Sequence, residues 1–477
     1  MFPHRHEDGP RHDEARARSH LGPAKPDHSW APRSSRSAPP APVASIRPWV
    51  SVLSVHRHRT SPLSVTDDHP CRHSARNRSG TRSSSTAPDR GSVATMAIPE
   101  ATPLPRRADV VIVGAGLAGL AAARRLGATD LDICVVEASD DVGGRIRTDL
   151  VDGFRLDRGF QLYNPAYPEG RRVLDHAALD LRAFTAGAQV SLGARTYRIA
   201  DPRRQPRWLW STMTAPLGGL AGELRFAVYA LSRSLRSAAA LRAEPDMTTD
   251  EALRAAGVDD RLMQRLVRPF LSGVFLESEL GTSRRFADLV LRSFIRGTPS
   301  VPATGMGAIP QQLTAALPVP VHLHTTVTEV DANSVRTSRG RIDCRAVIIA
   351  TDPTTAGHLA PSITPPQARA VTTWYYRPDV AGSTLTDGRG VLVLDGLGRG
   401  PLVNAVVLSN AAPEYAPSGE ALVSCSALGV HTDPAAQSAA RQHLGRLLAT
   451  DTRRWDHLAT YPIPYALPAM NVPLDVR

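Results

Sequence analysis

The chain has 477 residues, with 56 Lys+Arg against 45 Asp+Glu for a formal charge of +11, and is 42% hydrophobic and 21% charged. This length supports roughly two to three domains around a large core, and the composition excludes a fibrous or wholly disordered protein. Cys71, Cys134, Cys344 and Cys425 lie far apart without a CxxC spacing, which argues against a disulfide framework or a zinc site and fits a reducing, cytoplasmic setting.

Residues 1–95 hold 15 basic and 8 acidic side chains, so +7 of the charge sits there and +4 in the remainder. The same stretch carries 12 of the 40 prolines and 9 of the 16 histidines, and it lacks helical or strand periodicity. It reads as a disordered tail that buries too little apolar surface to offset chain entropy. Glu7, Asp8, Asp13 and Glu14 argue against a transit peptide, and the expected start of the working protein is Met96. With the tail set aside, charge gives no reason to expect a nucleic-acid partner. No apolar run reaches the roughly 18 residues of a spanning helix.

Residues 109–113 are a β-branched apolar run, the composition of a central parallel strand. The run leads into Gly114-Ala115-Gly116-Leu117-Ala118-Gly119 and then a stretch of helix formers over 120–126. A second strand is expected over 131–136, ending in Glu137, 18 residues beyond Gly119. This is the full strand, GxGxxG, helix, strand, acid order of a dinucleotide-binding unit. Gly114 permits the tight turn, Gly116 lets backbone approach a diphosphate at the helix N-terminus, Gly119 allows close helix–strand packing, and Glu137 accepts from ribose hydroxyls.

Downstream, Gly143-Gly144-Arg145 offers unhindered amides and a cation near the diphosphate. Together, residues 109–148 resemble the extended fingerprint of the FAD-dependent superfamily of flavin amine oxidases, protoporphyrinogen oxidases and phytoene desaturases. An NAD(P)-dependent enzyme would not usually continue into such a GGR. The resemblance covers about residues 107–475, is specific at 109–148 and is diffuse elsewhere. It implies an α/β fold, an FAD-binding Rossmann-like domain with an inserted mixed α+β substrate domain. The expected segments are 107–165 and 301–360 for FAD, 166–300 as a mainly helical cap, and 361–477 as the substrate-domain sheet.

The resemblance also implies that Gly159, Phe160 and Gln161 return to the flavin edge, although Phe160 and Gln161 could equally be packing. Two short strands within 319–335 and a buried strand over 344–350 follow. By analogy Val327 touches adenine and Thr351 lies near the cofactor, or each is core or turn. Residues 206–210 and the amphipathic stretch that follows have the aromatic and basic content of a peripheral membrane segment, and equally the pattern of a helix on a protein core. Tyr163, Trp374 and Tyr461 are candidate substrate contacts among aromatics that are mostly core.

Flavin carries the redox chemistry in such proteins. The implied activity is hydride transfer from a small, lipophilic substrate to FAD, with oxygen, a quinone or another molecule as electron acceptor. No metal motif is present. Lys25 is the only lysine in the chain, so no folded residue can supply the lysine that amine oxidases commonly place beside the flavin. This favours a desaturase- or porphyrinogen-oxidase-like activity. Relatives end in a strand, a Gly-Asp pair and a helix, and no Gly-Asp dipeptide occurs here. The alternative expectation is therefore a truncated, non-catalytic member with weak or no FAD binding.

Overall fold

The computed structural model describes residues 103–201 and 203–474, with the backbone of residues 51–52. Apart from that pair, the expectations for residues 1–95 and for Met96 lie outside the described residues.

Strand β1 (Arg107–Val113) is the expected apolar run. Val111 and Val113 pack into one core cluster and Val110 and Ile112 into another, so both faces of the strand are covered. Each buried Val or Ile contributes about 1.5–3 kcal/mol, which fixes the strand in its register. Gly114 ends it at φ +101°. Helix α1 (Leu117–Leu126) then lays Leu120 and Ala123 on the sheet, fully buried. Strand β2 (Ile133–Val136) returns parallel to β1, with Val113 opposite Val136. A hairpin of β3 (Thr148–Val151) and β4 (Phe154–Asp157) follows.

Strands β5 (Ala188–Ser191) and β6 (Thr196–Ile199) precede a helical stretch. Its main helices are α2 (Leu209–Thr214), α3 (Leu220–Leu235), α4 (Thr249–Ala255), α5 (Arg268–Phe275) and α6 (Arg284–Arg296). Helix α7 (Ala308–Ala315) leads back to the first sheet through β7 (Val321–His322), β8 (Val327–Val330), β9 (Ser334–Thr337) and β10 (Gly340–Ile349). The order is β7-β2-β1-β10-β9-β8, and Ser51–Val52 pairs with β10. β7, β2, β1 and β10 run parallel, while β8, β9 and β10 form an antiparallel meander. This is the α/β layer that the sequence predicts.

The second sheet is built from β11 (Ala368–Arg377), β12 (Leu392–Asp395), β13 (Leu402–Val407), β14 (Val423–Leu428) and β15 (Asp456–Pro468), with helix α8 (Pro434–Leu448) on one face. Its order is β15-β11-β14-β13-β12-β5-β6. Residues 188–199 thus belong to this sheet, although the sequence reads 166–300 as mainly helical. Each strand there is four residues long, and Ala-Gln-Val-Ser and Thr-Tyr-Arg-Ile each alternate apolar with polar over only two periods, a weak local signal. β5 forms a local hairpin with β6 and pairs in parallel with the edge of β12, just over 200 residues away.

Alternation along β11 sorts its aromatics. Trp374 and Tyr376 pack with Leu444 and Leu447 of α8. Tyr375 points the other way, into a cluster with Phe154, Leu156 and Tyr415. Among the described residues, no helix is long and apolar enough to cross a membrane.

Candidate functional site

The first glycine turn is shaped by two close approaches. A Cβ on Gly114 would lie 2.9 Å from the Ala350 carbonyl oxygen, and one on Gly119 only 1.8 Å from that of Gly114. Gly116 is different: a Cβ there meets nothing within 4 Å. It opens α1 with no side-chain cap and no acid in the first turn. The first-turn amides of Leu117, Ala118 and Gly119 have no intrahelical acceptor, and the helix dipole adds partial positive charge at the same point.

The second glycine loop is hydrogen-bonded onto the first. Gly143 N–H donates to the Ala115 carbonyl at 2.9 Å, and Gly116 and Gly143 form a parallel bridge. Gly144 follows at φ +59°, and a Cβ there would lie 3.5 Å from the Gly116 Cα. Arg145 follows, exposed, and donates to the Ala466 carbonyl at 2.6 Å. Arg147 pairs with Asp140 at 2.8 Å, whereas Arg145 has no carboxylate partner among the described residues. The second glycine loop, bridged to the uncapped start of α1, thus runs directly into a cation with no carboxylate partner among the described residues, an arrangement that can hold an anion such as a diphosphate.

Glu137 closes the end of β2. Its Oε2 accepts from Ala115 N–H at 2.6 Å, and its Oε1 accepts from the amide and hydroxyl of Ser139 at 2.9 and 2.7 Å. The Glu137 carbonyl accepts from Thr325 N–H at 2.8 Å, which draws the start of the meander alongside. Val327, two residues on, is buried in the cluster that contains Val136. Thr351, at the carboxyl end of β10, has its amide nitrogen 3.3 Å from where a Gly114 Cβ would be.

Of the other expected residues, Gly159 turns at φ +97°, and a Cβ there would sit 2.7 Å from Ile463 of β15, so only glycine fits the position. Phe160 stands edge-on to Phe184 at 6.2 Å. Gln161 donates to the carbonyls of Arg145 at 2.7 Å and Arg158 at 3.0 Å, which ties this turn to the second glycine loop. Tyr461 donates to Asp149 at 2.9 Å and stands edge-on to Tyr375 at 5.8 Å. Burial alone would raise the Asp149 carboxyl, but hydrogen bonds from Arg158 and Tyr461 outweigh it and hold it below its usual value.

Tyr163, Phe160 and Tyr461 share one apolar cluster, and the Tyr163 hydroxyl meets His176 Nε2 at 2.8 Å. Trp374 does not join them. It lies on the opposite face of β11, stacked at 6.2 Å on His431, while its neighbour Tyr375 shares the cluster of Tyr163 and Tyr461.

The residue that sequence reasoning did not single out is Asp157. It is buried and accepts from Thr148 Oγ1 at 2.6 Å, Met306 N–H at 2.9 Å and the Tyr415 hydroxyl at 2.9 Å, while its carbonyl accepts from Tyr375 at 2.7 Å. Burial pushes its carboxyl up to about 6. An acid closing the apolar strand Phe154–Asp157 was the available signal.

Residues 117–476 match the family model described as flavin containing amine oxidoreductase. A putrescine oxidase from Kocuria rosea is 46% identical over 85 residues, 18% of each chain. Protoporphyrinogen oxidase 1 from Arabidopsis thaliana is 29% identical over 178 residues, 35% of this chain and 30% of that protein. Coproporphyrinogen III oxidase from Bacillus subtilis is 28% identical over 224 residues, 43% and 46%. The chain thus matches less than half the length of these curated relatives. Among solved structures, an oxidoreductase from Methanosarcina mazei superposes with a TM-score of 0.60 at 16% identity, covering 76% of this chain and 89% of that one. A putrescine oxidase bound to putrescine gives 0.56 at 17%, covering 74% and 85%. The fold is that of these flavoproteins, and the chain belongs to the flavin-containing amine oxidoreductase family.

Proposed function

We propose that the chain is an FAD-dependent oxidoreductase that takes a hydride from a C–H bond of a small, lipophilic substrate. The observation that carries this reading is the junction of the two glycine loops at the uncapped start of α1, with Glu137 and Arg145 on either side. The amides of Leu117, Ala118 and Gly119 and the Arg145 guanidinium hold the diphosphate, and Glu137 accepts from ribose hydroxyls while it braces Ala115. Val327 and Thr351 border the adenine and diphosphate ends. Gln161 fixes the turn through which Gly159 and Phe160 approach the ring.

FAD, when bound, supplies a hydride acceptor that oxygen, a quinone or another electron acceptor returns to its oxidised form. The protein orients substrate and keeps water out with an aromatic wall. Tyr461, held by Asp149 and backed by the buried ring of Tyr375, forms its fixed part, with Tyr163 further along the same cluster. Residues 103–474 contain no lysine, which favours oxidation of a conjugated or polycyclic lipophile over a true amine oxidase reaction.

The visible spectrum of the purified full chain, before and after addition of FAD, tests the reading. A bound flavin spectrum that bleaches with dithionite is expected. A protein that stays colourless after reconstitution and gel filtration overturns it in favour of a non-catalytic family member.

A further inference from the structure

Helix α3 has apolar side chains on two faces. One face meets the protein: Phe226 and Tyr229 pack on the core of the helical region, the Tyr229 hydroxyl donates to buried Asp288 of α6 at 2.7 Å, and Arg233 donates to both oxygens of Glu244 at 2.9 Å. A second apolar face is turned outward. Leu220, Leu224, Val228, Leu231 and Leu235 recur on one helical face and are 72%, 65%, 58%, 42% and 75% exposed. This stripe is about 22 Å long. In α2, the preceding helix, Trp210 and Met213 are 77% and 58% exposed. A globular helix normally buries such a stripe, and a contiguous exposed one marks a contact surface.

The stripe runs into a cationic cleft. A hollow of about 460 Å³ is lined by Leu231, Leu235 and Ile295 together with Arg203, Arg204 and Arg296. Arg203 is paired with Asp201, which also borders the hollow. Arg204 donates to the carbonyls of Ile295 and Gly297, and Arg296 to the Ser234 carbonyl at 2.8 Å. Backbone carbonyls hold these two guanidinium groups in place without neutralising them, and neither has a carboxylate partner among the described residues.

We propose that this face docks on an anionic phospholipid bilayer, with the stripe of α3 in the acyl boundary and a lipid phosphate between Arg204 and Arg296. Charge decides the occupant. Over residues 203–242, Arg204, Arg207, Arg225 and Arg242 have no carboxylate partner among the described residues, against one acid, Glu223, while Arg203, Arg233 and Arg236 are paired with Asp201 and Glu244. A second copy related by a twofold axis would set this basic surface against itself. The chain's own residues 1–95 carry +7 and are repelled in the same way. An anionic bilayer offers apolar depth and opposite charge at one boundary, with exposed Trp210 beside Arg207 suited to the interface.

Sedimentation of the full chain with vesicles tests this. Binding to mixed phosphatidylglycerol–phosphatidylcholine vesicles is expected, with little binding to pure phosphatidylcholine. The double variant Leu224→Glu/Val228→Glu, at exposed positions, should lose the binding and keep the wild-type melting temperature. Arg204→Gln/Arg296→Gln should bind roughly thirty-fold more weakly, as loss of two interfacial arginines predicts. Absence of binding to anionic vesicles, or binding that survives the glutamates, overturns the proposal. So does a wild-type dimer in light scattering that the glutamates convert to monomer. Unchanged affinity in the arginine variant overturns the phosphate site.

Discussion

The Ala115 amide donates to Oε2 of Glu137 across 2.6 Å, so one buried carboxylate joins the first glycine turn to the end of β2. Both elements are then held in place before any ribose reaches them. Ala115 also accepts from Gly143 through its carbonyl, which extends the brace to the second glycine loop. In the proposed cofactor site, Glu137 therefore acts on FAD twice, by direct hydrogen bonding and by setting the loops.

Replacing Glu137 by Ala removes the acceptor for Ala115 and Ser139 together. A hydrogen bond to a charged group contributes about 1.5–3 kcal/mol, which corresponds to roughly ten- to 150-fold in affinity. FAD titration by flavin fluorescence should show weakening in that range. Glu137→Gln, which keeps the shape and loses the charge, should fall between variant and wild type. Wild-type FAD affinity in Glu137→Ala would place the ribose elsewhere.

The glycines allow a sharper separation of fold from binding. Gly116 has an ordinary extended conformation, and a Cβ there touches no protein atom within 4 Å. Gly116→Ala should therefore melt like wild type yet bind FAD more weakly, because only a ligand at the helix N-terminus would meet the methyl. Gly119→Ala meets the Gly114 carbonyl at 1.8 Å and must push α1 off the turn, destabilising the chain by about 1–3 kcal/mol. The informative comparison is melting temperature against flavin content in the two variants. If Gly116→Ala binds FAD as wild type does, the anion site is not in front of α1.

These elements were legible because their signals are local. A β-branched run, three glycines at fixed spacing and an acid after a second run specify β1, α1 and β2 without reference to the rest of the chain. The hairpin of β5 and β6 offers only two alternating four-residue runs, too little to stand out beside the helix formers that follow, so the sequence places it in a helical region. A shift of one residue on a strand reverses a side chain, so Trp374 and its neighbour Tyr375 lie on opposite faces of β11, and only Tyr375 shares a cluster with Tyr163 and Tyr461. The amphipathic pattern of α3 shows that its apolar side chains share a face. It does not say whether that face turns inward, which depends on Asp288 and Glu244 receiving Tyr229 and Arg233.

Asp157 should give stability an identifiable pH dependence. Burial raises its folded-state carboxyl to about 6, above the ordinary value near 3.8. The folded chain thus holds this proton more tightly than the unfolded chain, and the resulting contribution is fully present below about pH 4 and is lost as pH rises to about 6. A shift of this size corresponds to a term on the order of 3 kcal/mol. Asn imitates the neutral acid, so Asp157→Asn should abolish this part of the slope. Urea unfolding of both proteins between pH 4 and 7 isolates the effect, since other carboxylates cancel in the difference. Parallel curves for the two proteins would mean that Asp157 does not titrate in that window.

The second sheet has its own buried clamp, away from the glycine loops. His443 of α8 accepts from the Leu402 amide at Nδ1, 3.1 Å, which puts the ring proton on Nε2, 3.0 Å from Asp395. Asp395 further accepts from the amides of Leu397 at 2.8 Å and Arg399 at 2.6 Å, and the imidazole lies against Gly400, where a Cβ would come within 2.3 Å of the ring. Burial alone would raise the Asp395 carboxyl, but the hydrogen bonds from His443 and the two amides leave it below its usual value. Replacing His443 by Leu leaves a buried amide and a buried carboxylate each one partner short, which should destabilise the chain by about 2–5 kcal/mol. Gln offers both a donor and an acceptor and should recover part of that loss. Because the clamp joins α8 to the β12–β13 turn and touches neither glycine loop, folded His443→Leu at low temperature should still bind FAD with wild-type affinity. A lower urea midpoint with unchanged FAD affinity is the expected pair of results, and a fall in affinity at full folding would instead couple this sheet to the cofactor site.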